Sequence, residues 1–151
     1  MSKLKIQNTL ENTKEEFIPV DPSNVRIYAC GPTVYDYAHI GNARMAVVND
    51  LLVRLLRTLF PKVTYVSNIT DIDDKIIEAA QIADMPFQEL TLKFEAIYNE
   101  DMAALGVHRP DVQPRATDHI AEMIALTKTL VKLGHAYEIK GHVLFHVPSF
   151  E

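Results

Sequence analysis

Apolar residues fall along this chain in two rhythms. Val25, Ile27 and Ala29 alternate with Arg26, Tyr28 and Cys30, the period of a strand. The flanking apolar character predicts burial on both faces, as parallel sheets require. From Ala43 to Phe60 apolar residues dominate, while Asp50, Arg54 and Arg57 recur at helical spacing as one polar stripe. Pro61 ends that helix, and Val63 to Ile69, rich in β-branched residues, reads as a second strand. Strand, helix, strand makes a βαβ unit, right-handed and parallel. Its two strand ends, 30–42 and 68–74, are expected to share one rim, where ligands bind in open α/β sheets.

The flanking segments are read in the same way. Met1 to Asn24 is mixed and polar and is expected to lie against the domain surface, with a turn at Asp21 to Asn24. Ile76, Ile77, Ala80 and Ala83 predict a helix over Asp73 to Ala83. Pro86 starts a clearer one, with Phe87, Leu90, Phe94, Ile97 and Leu105 on its apolar stripe and Gly106 as its C-terminal cap. Pro110 and Pro114 bracket a linker over 109–117. A further helix then runs through Ile120, Met123, Ile124, Leu130 and Val131 to Gly134, capped by Thr117 or Asp118. Ala136 to Ile139 and Val143 to Val147 flank Lys140-Gly141 as a hairpin. The pattern defines an α/β fold with a parallel sheet.

Composition narrows this little. The 151 residues, 48 % hydrophobic, suffice for one ordinary domain with a buried core. A formal net charge of −5 gives no general attraction to a phosphate backbone, so any nucleic-acid contact is local. One cysteine makes no intramolecular disulfide, and neither a secretory leader nor a spanning apolar run is present, so a reducing cytoplasm and no membrane are expected.

Candidate chemistry concentrates between Cys30 and Asn42. Gly41 permits close backbone approach at the start of a helix, where unpaired N–H groups and the helix dipole favour phosphate. His39 can donate a hydrogen bond or positive charge to oxygen, or can simply satisfy backbone groups in a turn. Cys30 reads as a small buried apolar residue or as a metal-binding or nucleophilic thiolate. The other five histidines show no ligand spacing with it. Asp71, Asp73 and Asp74 suit magnesium or the N-terminus of the helix they precede. Asn68 and Thr70 stand at the strand end facing a ligand, and Arg44 reads equally as a phosphate contact or a surface residue.

Three blocks together carry a resemblance. The run Tyr28 to Asp36, then His39-Ile40-Gly41, then Asn68 to Lys75, closely resembles the cysteinyl-tRNA synthetase family in order and spacing. Similarity continues through Arg109-Pro110-Asp111, Pro114 to Thr117 and Gly134 to Tyr137, covering nearly the whole chain. The resemblance implies the Rossmann-like catalytic fold of a class I aminoacyl-tRNA synthetase. It implies that ATP, with magnesium, activates L-cysteine to cysteinyl-adenylate, and that cysteine tRNA receives the aminoacyl group. Pro32, Thr33, His39, Gly41 and Asn42 match the ATP site, with His39 and Asn42 catalytic. Cys30, Gly31, Thr33, Asn68 and Thr70 match the cysteine pocket, and Cys30 the position of one zinc ligand. Zinc bonded to the substrate thiolate separates sulfur from the oxygen of serine.

The family signature commonly reads His-Ile-Gly-His, whereas here the last position is Asn42. An amide donates hydrogen bonds but carries no imidazolium charge, which shifts the expected load to His39. The resemblance further implies that 1–108 is the first half of the catalytic domain and 109–151 the start of an inserted connective region, which is helical and closes in the hairpin. On that reading the Lys-Met-Ser-Lys-Ser loop and the other zinc ligands lie downstream. The chain alone is expected to be inactive and monomeric. Two alternatives share these motifs: a cysteine ligase acting on an amino-sugar acceptor, and a non-catalytic nucleotide-binding module.

Overall fold

A computed structural model describes residues 4–150. At its centre, β3 (Val25–Ala29) and β4 (Val63–Ser67) pair in parallel, in register from Val25 opposite Val63 to Ala29 opposite Ser67. The crossover between them is α1 (Ile40–Leu59). Val53 and Leu56 of α1 bury against Val25, Val63 and Tyr65 of the strands, and this apolar contact fixes the helix on the sheet. The helix begins three residues before the expected Ala43, because His39 caps it.

The 109–117 stretch is not a linker, as its two prolines suggested. Residues 111–116 run parallel to β4 on the side away from β3, with bridges Val66 to Val112 and Ile69 to Arg115. Val112 N–H donates to Tyr65 O (3.2 Å), Ser67 N–H to Val112 O (3.2 Å), Ile69 N–H to Pro114 O (2.8 Å) and Ala116 N–H to Ile69 O (3.0 Å). Pro110 and Pro114 fit because only alternate N–H groups of an edge segment face the sheet. Asp111 pins the start of this segment, accepting from Tyr65 N–H at 2.7 Å and from Arg57 Nη2 at 2.9 Å. The polar stripe of α1 is thereby tied down, since Arg54 donates to Asp50 Oδ2 (2.7 Å) and to the Gly106 carbonyl. Asp50 is itself buried and accepts from the His108 N–H at 3.3 Å.

Two expectations about the N-terminal part are corrected. The polar stretch before Asn24 contains an antiparallel hairpin, β1 (Lys5–Asn8) with β2 (Thr13–Glu16), and Leu4 and Phe17 beside it pack on the core around Val25. Residues 1–3 lie outside the described residues. Strand β3 is covered on one face only, for Arg26 is exposed and Tyr28 is 66 % exposed.

After β4, α2 (Asp74–Ile82) and α3 (Phe87–Ala104) form a second apolar cluster. Ile76, Ala80, Leu90 and Phe94 close around Val34 and Ile69. Residues 116–119 form a short 3₁₀ turn leading into α4 (Ile120–Lys132), which has no buried residue. Neither Thr117 nor Asp118 caps α4, because both belong to that turn and the Thr117 hydroxyl is bonded elsewhere. The closing hairpin is β5 (Ala136–Ile139) and β6 (His142–Phe145), so its second strand is shorter and earlier than Val143 to Val147.

Candidate active site

The two sequence motifs meet at the C-terminal ends of β3 and β4, where the parallel ladder outlasts the strands. Thr70 N–H donates to Pro32 O (3.0 Å) and Val34 N–H to Thr70 O (3.2 Å). Gly31 is the tightest point of this seam. Its N–H donates to Asn68 Oδ1 (3.0 Å), and a Cβ there would lie 1.5 Å from the Asn68 carbonyl oxygen. Only a residue without a side chain fits between the strand ends. Asn68 Nδ2 in turn donates to Thr70 Oγ1 (3.1 Å). Asn68 and Thr70 therefore brace the rim from behind.

In front of the rim lies a cleft of about 440 Å³. Gly31, Pro32, Thr33, His39 and Asn42 line it, joined by Tyr35, Met45, Lys75 and Tyr98. The lining omits Cys30, Gly41, Asn68 and Thr70. The spacing of the motifs did not single out Tyr98 or Met45, which reach the cleft from the far side of α3 and from the second turn of α1. Below them is a cavity of about 40 Å³, bordered by the same Met45 and Tyr98 together with Tyr65, Ser67 and Gln113, large enough for water. Burial raises the phenol pKa of Tyr98, with a smaller contribution from Tyr65. The Tyr65 phenol is raised first by burial and then by the Asp50 charge, against a hydrogen bond with Ser67 that lowers it.

His39 is the N-cap of α1. Its Nδ1 accepts from Gly41 N–H at 3.0 Å, and its own N–H donates to Asn42 Oδ1 at 3.1 Å, completing a capping box. With Nδ1 accepting, the neutral ring carries its hydrogen on Nε2, the nitrogen left for a ligand. Gly41 serves this arrangement, since a Cβ there would meet His39 Cε1 at 2.7 Å. Asn42 uses its oxygen on the cap, which leaves the amide nitrogen as a donor at the cleft wall.

The three acidic positions divide. Asp73 caps α2, accepting from Lys75 N–H at 3.0 Å, and Asp74 occupies its first turn. Asp71 is instead 3 % exposed and internally bonded. It accepts from Thr117 N–H (2.9 Å), Thr117 Oγ1 (2.5 Å) and Arg115 Nε (3.1 Å), and Arg115 Nη2 reaches Glu95 Oε2 at 2.9 Å. Burial pushes its carboxyl up, but the Thr117 and Arg115 hydrogen bonds outweigh this and hold it below the ordinary value. Asp71 is thus a clasp between the rim and the third parallel segment and offers no free oxygen to a metal. Cys30 is exposed, with Sγ 3.8 Å from Gly31 O. Among the described residues no group of three or more His, Cys, Asp or Glu could hold a metal ion. One thiol supplies one of the three or four protein ligands that zinc takes, so these residues do not make a zinc site.

A nucleotide-type cleft at the strand ends of a parallel α/β sheet, with a capped helix N-terminus in its wall, defines the class of protein. The same fold occurs in a methionyl-tRNA synthetase of Mycobacterium tuberculosis solved in complex with methionyl-adenylate, matched with TM-score 0.63 at 18 % identity over 80 % of this chain and 28 % of that one. Residues 16–151 match the family of class I (C) tRNA synthetase catalytic domains, and the chain belongs to that family. It is 58 % identical over 97 % of its length to the cysteine–tRNA ligase of Rhodospirillum rubrum and 56 % identical to that of Rhodospirillum centenum. The Xanthomonas euvesicatoria cysteine–tRNA ligase is 53 % identical over 98 % of this chain. The chain spans about a third of the length of these relatives, 32 % in the first two. No helix among the described residues is long and apolar enough to cross a membrane.

Proposed function

We propose that this chain is the part of a cytoplasmic cysteine–tRNA ligase that binds ATP and L-cysteine for formation of cysteinyl-adenylate. The observation that carries the reading is the convergence of Gly31, Thr33, His39 and Asn42 on one cleft at the strand ends, in a chain of this family. A cysteine carboxylate oxygen attacks the α-phosphorus of ATP, the bond to the bridging oxygen breaks, and pyrophosphate leaves with the electron pair. His39 Nε2–H and the Asn42 amide donate to the phosphate oxygens as charge builds, and the N-terminal end of α1 adds its dipole. Pro32, Thr33 and Gly31 form the wall against which the substrates lie. Gly41 acts through His39 by leaving room for its ring.

In the cysteine pocket Cys30 contributes one thiol donor, and Asn68 and Thr70 hold Gly31 and the rim in register. No step is routed through zinc. Magnesium accompanies ATP as part of the substrate. Transfer of the cysteinyl group to the terminal ribose of cysteine tRNA follows in the complete enzyme. Cysteine-dependent exchange of labelled pyrophosphate into ATP, measured on a polypeptide containing this chain, tests the reading. Exchange with cysteine and not with serine supports it. ATP binding without cysteine dependence would replace it by a nucleotide-binding module.

A further inference from the structure

The cleft must accept a polyanion in a chain of net charge −5, and its lining already includes the carboxylate of Asp36. Among the described lining residues one side chain is formally cationic, Lys75. It is the second residue of α2, where a positive charge opposes the helix dipole, so local stability does not account for it. Asp73 is spent as the N-cap, bonded to the backbone N–H of Lys75. Among the described residues the Lys75 ammonium makes no ion pair with Asp36, Asp73, Asp74 or Glu78 around it. Its contact is the Tyr35 ring, 6.0 Å from Nζ to the centroid, and Tyr35 lines the same cleft. The aliphatic stem leaves α2 and the ring holds the charge at the cleft mouth.

We propose that Lys75 binds the β- and γ-phosphates of ATP and stabilises the departing pyrophosphate, a role for this side chain that rests on the adenylate-forming reading above. His39 and Asn42 sit at the α1 end of the cleft and Lys75 at the α2 end, so the two groups address different parts of one triphosphate. Lys75 is exposed, so its replacement leaves the core intact.

The test is a ³¹P NMR and calorimetric titration of the chain with ATP, AMP and inorganic pyrophosphate. Lys75→Gln is expected to weaken ATP and pyrophosphate about tenfold while AMP changes less than about twofold, the size of one lost charge-assisted hydrogen bond. Lys75→Arg is expected to recover most of the loss, and Lys93→Gln, a lysine outside the cleft on α3, to change nothing. Equal weakening of ATP and AMP, or ATP binding untouched by Lys75→Gln, overturns the assignment while leaving the adenylation reading in place. Failure of the unsubstituted chain to bind ATP defeats that reading itself, and this assignment with it.

Discussion

Replacing Asp71 by Asn isolates the clasp between the rim and the third parallel segment. The carboxylate is 3 % exposed and accepts three hydrogen bonds, two of them on Oδ2, from Arg115 Nε and Thr117 Oγ1. An amide turns that oxygen into a donor facing two donors, or flips and loses the Thr117 N–H bond instead. A hydrogen bond to a charged group contributes about 1.5–3 kcal/mol, and Arg115 keeps Glu95 as a partner, so the net loss is about 2–3 kcal/mol. The pH dependence follows from the depressed carboxyl. Its stabilisation is fully present above the unfolded value near ~3.9 and fades as pH falls through the lower folded value. Urea unfolding followed by circular dichroism and tyrosine fluorescence, in a chain without tryptophan, reads both effects. The gap between parent and variant is expected to be widest near neutral pH and to narrow below about pH 4. A gap under about 0.5 kcal/mol at pH 7, or one that does not narrow in acid, refutes the clasp.

Gly31→Ala places a Cβ where the strand ends must part by roughly 1.5 Å to relieve the contact with Asn68, and is expected to cost at least about 3 kcal/mol in the same urea assay. Unfolding within about 0.5 kcal/mol of the parent would contradict the packing of the rim. In cysteine-dependent pyrophosphate exchange, His39→Ala is expected to lower the rate about a hundredfold and Asn42→Ala about tenfold, since Nε2 of His39 is free for substrate whereas Asn42 has one atom committed to the cap. Equal or reversed effects would reject that division of labour. Asp111→Ala removes the acceptor for Tyr65 N–H and the partner of Arg57, and a loss of about 1–2 kcal/mol is expected, with no loss telling against the pinning of the third segment.

The elements with strong periodicity were legible without coordinates. Val25–Ala29, the α1 helix and Val63–Ser67 follow the alternation and the helical stripe, because burial on this scaffold is what the pattern encodes. The 111–116 segment was not legible, since two prolines in six residues look like a break, and only the pairing with β4 shows that their missing N–H groups are not needed. The β1–β2 hairpin was equally hidden: Lys5–Asn8 and Thr13–Glu16 are polar, and their anchors Leu4 and Phe17 stand outside the strands. At the site, the motifs pointed to one rim, and chain topology brought them there. Their side-chain roles were less readable. Nothing in the local sequence distinguishes Asp71, buried under Arg115 and Thr117, from Asp73, which caps a helix two residues later. The distinction depends on residues more than forty positions away.

That distance bears on how the cleft is kept in shape. The main-chain bonds between Pro32, Val34 and Thr70 make the two motifs one continuous edge. Asn68 closes that edge with both ends of its amide, to Gly31 N–H and to Thr70 Oγ1, so it has little left to offer a substrate directly. Behind it, Ile69 is fully buried among Val34, Ile76 and Phe94 and also carries the bonds to Pro114 and Ala116. A displacement of 111–117 therefore reaches the wall residues Gly31 to Val34 through β4 and the Asp71 clasp without touching a ligand. Substitutions at Asn68 or Asp71 are then expected to act on substrate affinity through the position of Gly31 and Thr33, whereas those at His39 act at the reacting phosphate itself.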